Sequence, residues 1–214
     1  MRSAILALVF TLAGAASLFG DLVHAPASAL SPTADGNFAL YQKNLLSTAW
    51  PRAGLTNDIL SSGAAFVTLQ EVSDHNLKFM KPLFSAFPSK VICKPFPGSS
   101  KSVAVLSTYP MVSGSRTCKG DDLFAAMQVT LPDGTAIWLV SIHLKWPFPF
   151  GQPKQTESIS AMLAQLDGPL LVGGDFNMVS WGSTIDQIAT AARTRLVAGY
   201  ATTYPLFGPL FPLP

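Results

Sequence analysis

The chain has 214 residues, 49% of them hydrophobic and 12% charged, with a formal net charge of +2. That length and composition support one domain of ordinary size with a substantial core. No run of basic residues occurs, so a long electrostatic footprint on nucleic acid is not visible, although a local basic patch stays open.

Arg2 precedes an apolar stretch, Ala4–Gly20, and small residues recur at Ala25-Pro26-Ala27 and Ala27-Ser28-Ala29. This is the pattern of a secretory signal with an A-x-A cleavage site. At roughly 17 residues the stretch also reaches the short limit for a spanning helix. Residues 1–29 therefore read as a signal peptide or a membrane anchor, with a buried helix as the structural alternative. The first two predict an exported protein, periplasmic or secreted, or one touching the membrane through its N-terminal segment. Residues 30–37 form a polar linker, and residues 38–214 form the domain.

Phe38–Asn44 reads as a first strand ending on an asparagine. Pro51–Asn57 is loop-like, and Asp58–Ser62 forms a short helix stopped by Gly63. Ala64–Leu69 is a buried strand followed at once by Gln70 and Glu71. Ser73 is placed to cap a helix with Leu77, Met80, Leu83 and Phe84 on one face, and Pro82 predicts a kink or an early end. Lys90–Lys94 and Ser102–Ser107 are neighbouring strands. Phe124–Leu131 and Thr135–His143 flank Pro132-Asp133-Gly134, a strong hairpin signal, and the second arm ends on His143. An aromatic, proline-rich loop follows, Leu144–Pro153. A helix over Lys154–Leu166 stops at Gly168, Pro169–Gly173 is a further strand, and a last helix, Ser183–Ala192, is capped by Ser183. Tyr204–Pro214 carries four prolines and no periodicity.

Strands joined by both hairpins and helices imply a mixed sheet with helices outside. Asn44, Glu71, His143, Asp175 and Asn177 each fall at or just past a strand end, which predicts a shared rim. Asp175 and Asn177 are two apart in extended chain, so a carboxylate and an amide converge on one spot; an Asx turn closing the strand is the structural alternative. Cys93 and Cys118 either close one loop in an oxidising compartment or remain two buried thiols.

Five segments carry a resemblance: QKNLL at 42–46, VTLQEV at 67–72, VAVLSTYPM at 103–111, VSIHL at 140–144 and GGDFN at 173–177. In this order they resemble the endonuclease/exonuclease/phosphatase superfamily, which includes deoxyribonuclease I-like nucleases, bacterial sphingomyelinases and inositol-polyphosphate phosphatases. The resemblance implies an α/β four-layer sandwich of two mixed β-sheets flanked by helices, and hydrolysis of phosphoesters with Mg²⁺, or with Mn²⁺ or Ca²⁺. Glu71 is then the metal ligand, with Asn44 close to the same ion or to the phosphate. Asp175 orients or deprotonates the attacking water, Asn177 fixes the phosphate or that aspartate, and His143 donates to phosphate oxygens. The phosphoester can be nucleic acid, a lipid head group or a small molecule; Trp146, Phe148 and Phe150 can cover an apolar substrate, rest on a membrane, stack on bases or cap the core.

One departure stands out. The family closes with a strand bearing an Asp-His pair, and here Asp-His occurs solely at Asp74-His75, behind Glu71. The expectation is a domain lacking its last strand and C-terminally incomplete, with a catalytically silent binding or remnant domain as the alternative to an active hydrolase.

Overall fold

The computed structural model describes residues 38–47, 53–149 and 151–197. The predicted signal or anchor, the linker, Phe150 and the proline-rich tail lie outside them. Among the described residues no helix is long and apolar enough to cross a membrane.

Eight strands form two four-stranded sheets. The first sheet contains β1 (Leu40–Asn44), β2 (Phe66–Val72), β3 (Ser89–Cys93) and β4 (Ser102–Ser107), in the order β1-β2-β4-β3. The second contains β5 (Thr117–Lys119), β6 (Phe124–Thr130), β7 (Ala136–His143) and β8 (Leu170–Asp175), in chain order. Each sheet is mixed: β1 runs parallel to β2 and β7 parallel to β8, whereas the other pairings are antiparallel.

Alternation along the strands explains the layering. In β6, Ala125, Met127 and Val129 point to the interior between the sheets, where they meet Phe66, Val91 and Val105. Phe124 and Ala126 point the other way, onto α4 (Gln152–Ala164) and α5 (Ser183–Ala192), against Ile159, Leu163 and Ile188. On the far side of the first sheet, Val67, Leu69 and Leu106 pack on α1 (Ala53–Ser61), α2 (Asp74–Phe79) and α3 (Lys81–Ala86) through Ile59, Met80 and Leu83. A strand buried on both faces reads as a continuous apolar run, which is why β4 and β6 were legible as sequence. The result is four layers, helix–sheet–sheet–helix, as expected.

The local differences have identifiable causes. Helix α1 begins at Ala53, not Asp58, so Ala53–Asn57, expected as loop, are helical. Ser73 does cap α2, accepting from the Asn76 N–H at 3.1 Å, and the helix expected here is divided in two at Met80, with Pro82 in the first turn of α3. The cap of α5 is Gly182, with no side-chain bond, so Ser183 is the first helical residue instead. Strand β5 has three residues, too few for a periodicity to show.

Cys93 and Cys118 form a disulfide that joins β3 to β5 across the two sheets. At the opposite flank the sheets are drawn together by glycine: a Cβ on Gly173 of β8 would stand 2.4 Å from Thr68 Oγ1 of β2. That close approach brings the end of β8 within reach of β1 and β2.

Candidate active site

The rim is built where the parallel pairs end. Asn44 is the last residue of β1, and His143 and Asp175 are register partners at the ends of β7 and β8. Glu71 lies not past β2 but inside it, on an irregularity between Leu69 and Val72. Its φ of 55° is left-handed, and this turns the carboxylate out of the strand's alternation. Leu46 and Asn177 share that conformation, with φ of 46° and 47°. A left-handed non-glycine residue costs roughly 1–2 kcal/mol, so this concentration of strain beside one another marks a site rather than chance.

The side chains meet. Asn44 Nδ2 donates to Glu71 Oε1 at 3.0 Å and to Asp175 Oδ2 at 2.6 Å, so one amide ties a carboxylate of the first sheet to one of the second. Glu71 Oε2 accepts from the Ser47 N–H at 2.9 Å, and Asn44 Oδ1 accepts from the Leu46 N–H at 2.8 Å. His143 Nε2 stands 3.8 Å from Asp175 Oδ2. Asn177 differs from the others: its side-chain amide donates to the Leu144 carbonyl at 2.7 Å, and its backbone N–H donates to Asp175 Oδ1 at 2.9 Å. What Asn177 gives Asp175 is thus a backbone donor, while its side chain is engaged with Leu144.

A polar layer, buried at Gln70 and Ser141, lies underneath, and sequence reading missed it. Gln42 Nε2 donates to Gln70 Oε1 at 2.8 Å, Gln70 Nε2 donates to Ser141 Oγ at 3.0 Å, and Ser141 Oγ donates to the Leu69 carbonyl at 3.2 Å. Gln70 and Ser141 are fully buried, so this chain bolts β2 to β7 directly below Glu71 and His143. Gln152 and Gln155, at the start of α4, hold the rim loops through Lys145, Phe176 and His143 backbone atoms. The signal for Gln70 and Ser141 was a polar residue inside an apolar run, which a periodicity count discards; Gln152 and Gln155 stand in a polar stretch and carried none.

Electrostatics separate the two titrating groups. Burial pushes the Glu71 carboxyl upward, but the Ser47 N–H, the Asn44 amide and the His143 ring together hold it below its ordinary 4.5, so it is ionised. Burial pushes the His143 ring below its ordinary 6.5, with Lys101 adding to this; Asp175 and Glu71 offset it in part. His143 Nδ1 is buried with no hydrogen-bond partner. The ring is therefore neutral near neutral pH.

The sign of the resulting pH dependence follows from linkage. Because the folded His143 resists protonation, the unfolded chain takes up that proton first, and stability falls as pH drops below 6.5. Glu71 acts below 4.5, where its stabilisation is lost. In chelator, the urea midpoint of the wild type should drop between about pH 7.5 and about pH 5.5, and His143→Asn should drop less. Equal losses would refute the neutral buried ring.

Glu71 and Asp175 both reach a single amide nitrogen, so they lie within the span of one hydrated cation. Among the described residues no group of three or more His, Cys, Asp or Glu is placed to hold a metal. That donor set fits a hard ion such as Mg²⁺, which takes one or two carboxylates and keeps several waters. It does not fit a zinc-type cage.

The fold has known counterparts. Sphingomyelinase C from Streptomyces griseocarneus superposes with a TM-score of 0.53 at 17% identity, over 72% of this chain and 68% of that one. TDP2 from D. rerio, complexed with a single-strand DNA product, gives 0.56 at 14% identity, over 72% and 66%. A variant of beta toxin from Staphylococcus aureus with bound magnesium ions gives 0.53 at 16% identity, over 74% and 71%. The chain thus spans 66–71% of these structures. No curated protein matches it by sequence. The family model described as Endonuclease/Exonuclease/phosphatase family matches residues 42–212. With the two mixed sheets in place, the chain belongs to the endonuclease/exonuclease/phosphatase family.

Proposed function

We propose that this domain is a Mg²⁺-dependent phosphodiester hydrolase. The observation that carries the reading is the Asn44 amide, which donates to Glu71 and Asp175 at once and so gathers carboxylates of both sheets beside His143. Glu71, ionised and steadied by Ser47 and Asn44, would hold the cation, with Asn44 keeping that carboxylate aimed. The bound ion would supply the positive charge that offsets charge building on the phosphoryl oxygens. Asp175 Oδ2 would orient a water and take its proton, while its Oδ1 stays anchored on the Asn177 N–H. The neutral His143 ring can donate one hydrogen bond from Nε2 to a phosphoryl oxygen.

The Cys93–Cys118 disulfide and the N-terminal apolar pattern support export to an oxidising compartment, either free or held by the N-terminal segment. Lipid and nucleic-acid phosphodiesters are both candidates, because the fold is shared with a sphingomyelinase and with a protein bound to a DNA product. A silent binding domain is the second reading, favoured by His143 being the one histidine placed at the rim among the described residues.

The test is nitrophenol release from bis-nitrophenyl phosphate with Mg²⁺, with Mn²⁺ or Ca²⁺, and with chelator. Turnover that needs a divalent ion and disappears in Glu71→Gln is the expected result. Cation binding measured by calorimetry without turnover would establish the silent domain. Turnover indifferent to chelator and to Glu71 would refute the mechanism.

A further inference from the structure

Asn76 is a buried polar residue with no part in the site as described so far. It is the third residue of α2 and is 1% exposed. Asparagine is a weak helix former, because its side chain competes for backbone hydrogen bonds. Its Oδ1 is buried without a hydrogen-bond partner, which is a further cost. On helix propensity and on burial alike, leucine would serve α2 better. What asparagine adds is one contact: Nδ2 donates to the Glu71 carbonyl at 3.2 Å. Turning the amide over would set oxygen against oxygen, so the donor has to face Glu71.

That carbonyl needs a donor from outside the sheet. Among the described residues, β1 pairs with β2 only as far as Gln70, and the pairing with β4 passes from Leu69 straight to Val72. Glu71 therefore has no register partner in either neighbouring strand. The two peptides that flank it are held separately. The Leu45 N–H donates to the Gln70 carbonyl at 2.9 Å, and Asn76 holds the Glu71 carbonyl. Between these two fixed planes the φ of Glu71 is 55°. The conformation decides where the carboxylate goes. Leu69 and Val72 both pack on the helix side of the sheet, whereas Gln70 reaches Ser141 of the second sheet. Plain alternation would send side chain 71 to the helix side with Leu69, away from Asp175.

We propose that Asn76 is a positioning residue for the divalent cation: it locks the left-handed backbone of Glu71 and so keeps that carboxylate at the rim, while touching neither ion nor substrate. The inference rests on the cation-dependent function proposed above. Residues that orient a metal ligand in this way typically change cation affinity or activity about 10–100-fold when replaced.

The test uses the full chain with Mn²⁺ alone, uptake being read from the paramagnetic resonance of the free ion, so that no turnover is needed. Asn76→Leu keeps the size and removes the donor, and Asn76→Asp keeps the outline and removes it too. Each should raise the Mn²⁺ dissociation constant about 10–100-fold. Circular dichroism and a urea midpoint in chelator show that the variants are folded, and should one of them unfold, the other carries the measurement. In Asn76→Leu, turnover of bis-nitrophenyl phosphate should fall at low Mn²⁺ and recover at saturating ion, because the carboxylate is misaimed rather than missing. Thr56→Val is the control for a merely structural effect. The Thr56 hydroxyl, also buried, donates to the Phe79 carbonyl at 2.9 Å and ties the far end of the same helix to α1. Its loss should lower the urea midpoint and leave Mn²⁺ uptake unchanged. Wild-type affinity in both Asn76 variants would overturn the proposal and leave the hydrolase reading standing. An equal loss of affinity in Thr56→Val would also overturn it, since general loosening of α2 would then be the cause. A wild type that takes up no Mn²⁺ would remove the cation reading, and this role with it.

Discussion

Asp175→Asn should lower turnover of bis-nitrophenyl phosphate about 10³-fold while the protein stays folded. The substitution keeps the shape and removes the proton acceptor. It also creates a local conflict, because Asp175 Oδ2 accepts from Asn44 Nδ2 at 2.6 Å and Oδ1 accepts from the Asn177 N–H at 2.9 Å. An amide can satisfy one of those donors with its oxygen and must turn its own N–H toward the other. The stability cost is on the order of 1 kcal/mol, since the side chain is partly exposed and water can relieve the clash. The kinetic signature separates this position from Glu71. Asp175→Asn should depress kcat with little change in the Mg²⁺ concentration that gives half activity, whereas Glu71→Gln should raise that concentration. A variant at 175 with near-wild-type kcat would eliminate the aspartate as the base.

Gly174→Ala should destabilise the domain by at least about 3 kcal/mol, an unusually large effect for one methyl group. The added Cβ would stand 2.2 Å from the Ile142 carbonyl oxygen and 3.0 Å from its carbon. Both belong to the backbone of β7, so no side chain can swing aside to relieve the contact. The strand pair that sets His143 opposite Asp175 would have to separate. Gly54, in the first turn of α1, provides the control: nothing lies within 4 Å of its added Cβ. Gly54→Ala should stabilise by roughly 0.5–1 kcal/mol through helix propensity and a less flexible unfolded chain. Chemical denaturation of the two variants side by side checks both signs. A Gly174→Ala midpoint equal to the wild type would mean that β7 and β8 are not packed as described.

The layers were legible in the sequence because their causes are local. The buried run 102–107 and the hairpin around Asp133-Gly134 each declare a strand without reference to the rest of the chain. Helix ends were less legible where two residues compete for one task, as Gly182 and Ser183 do at α5. The site was readable as a set of residue types at strand ends, and the fold does bring Asn44, Glu71, His143 and Asp175 together. What the sequence withheld was how they are held. The left-handed Glu71 turns on a shift of register between β2 and β4, a property of two strands at once. The Gln70–Ser141 bond joins residues 71 positions apart, and no window of sequence contains both. Gln152 looked like part of an aromatic loop, yet it is the buried post on which that loop rests.

The disulfide lies on the edge strands β3 and β5, at the margin opposite β1 and β8. The two sheets are thus hinged like book covers, with sulfur at the spine and the chemistry at the fore-edge. A thiol reagent acts at the spine, so exposure to one should shorten the working lifetime of a preparation while each surviving molecule performs as before.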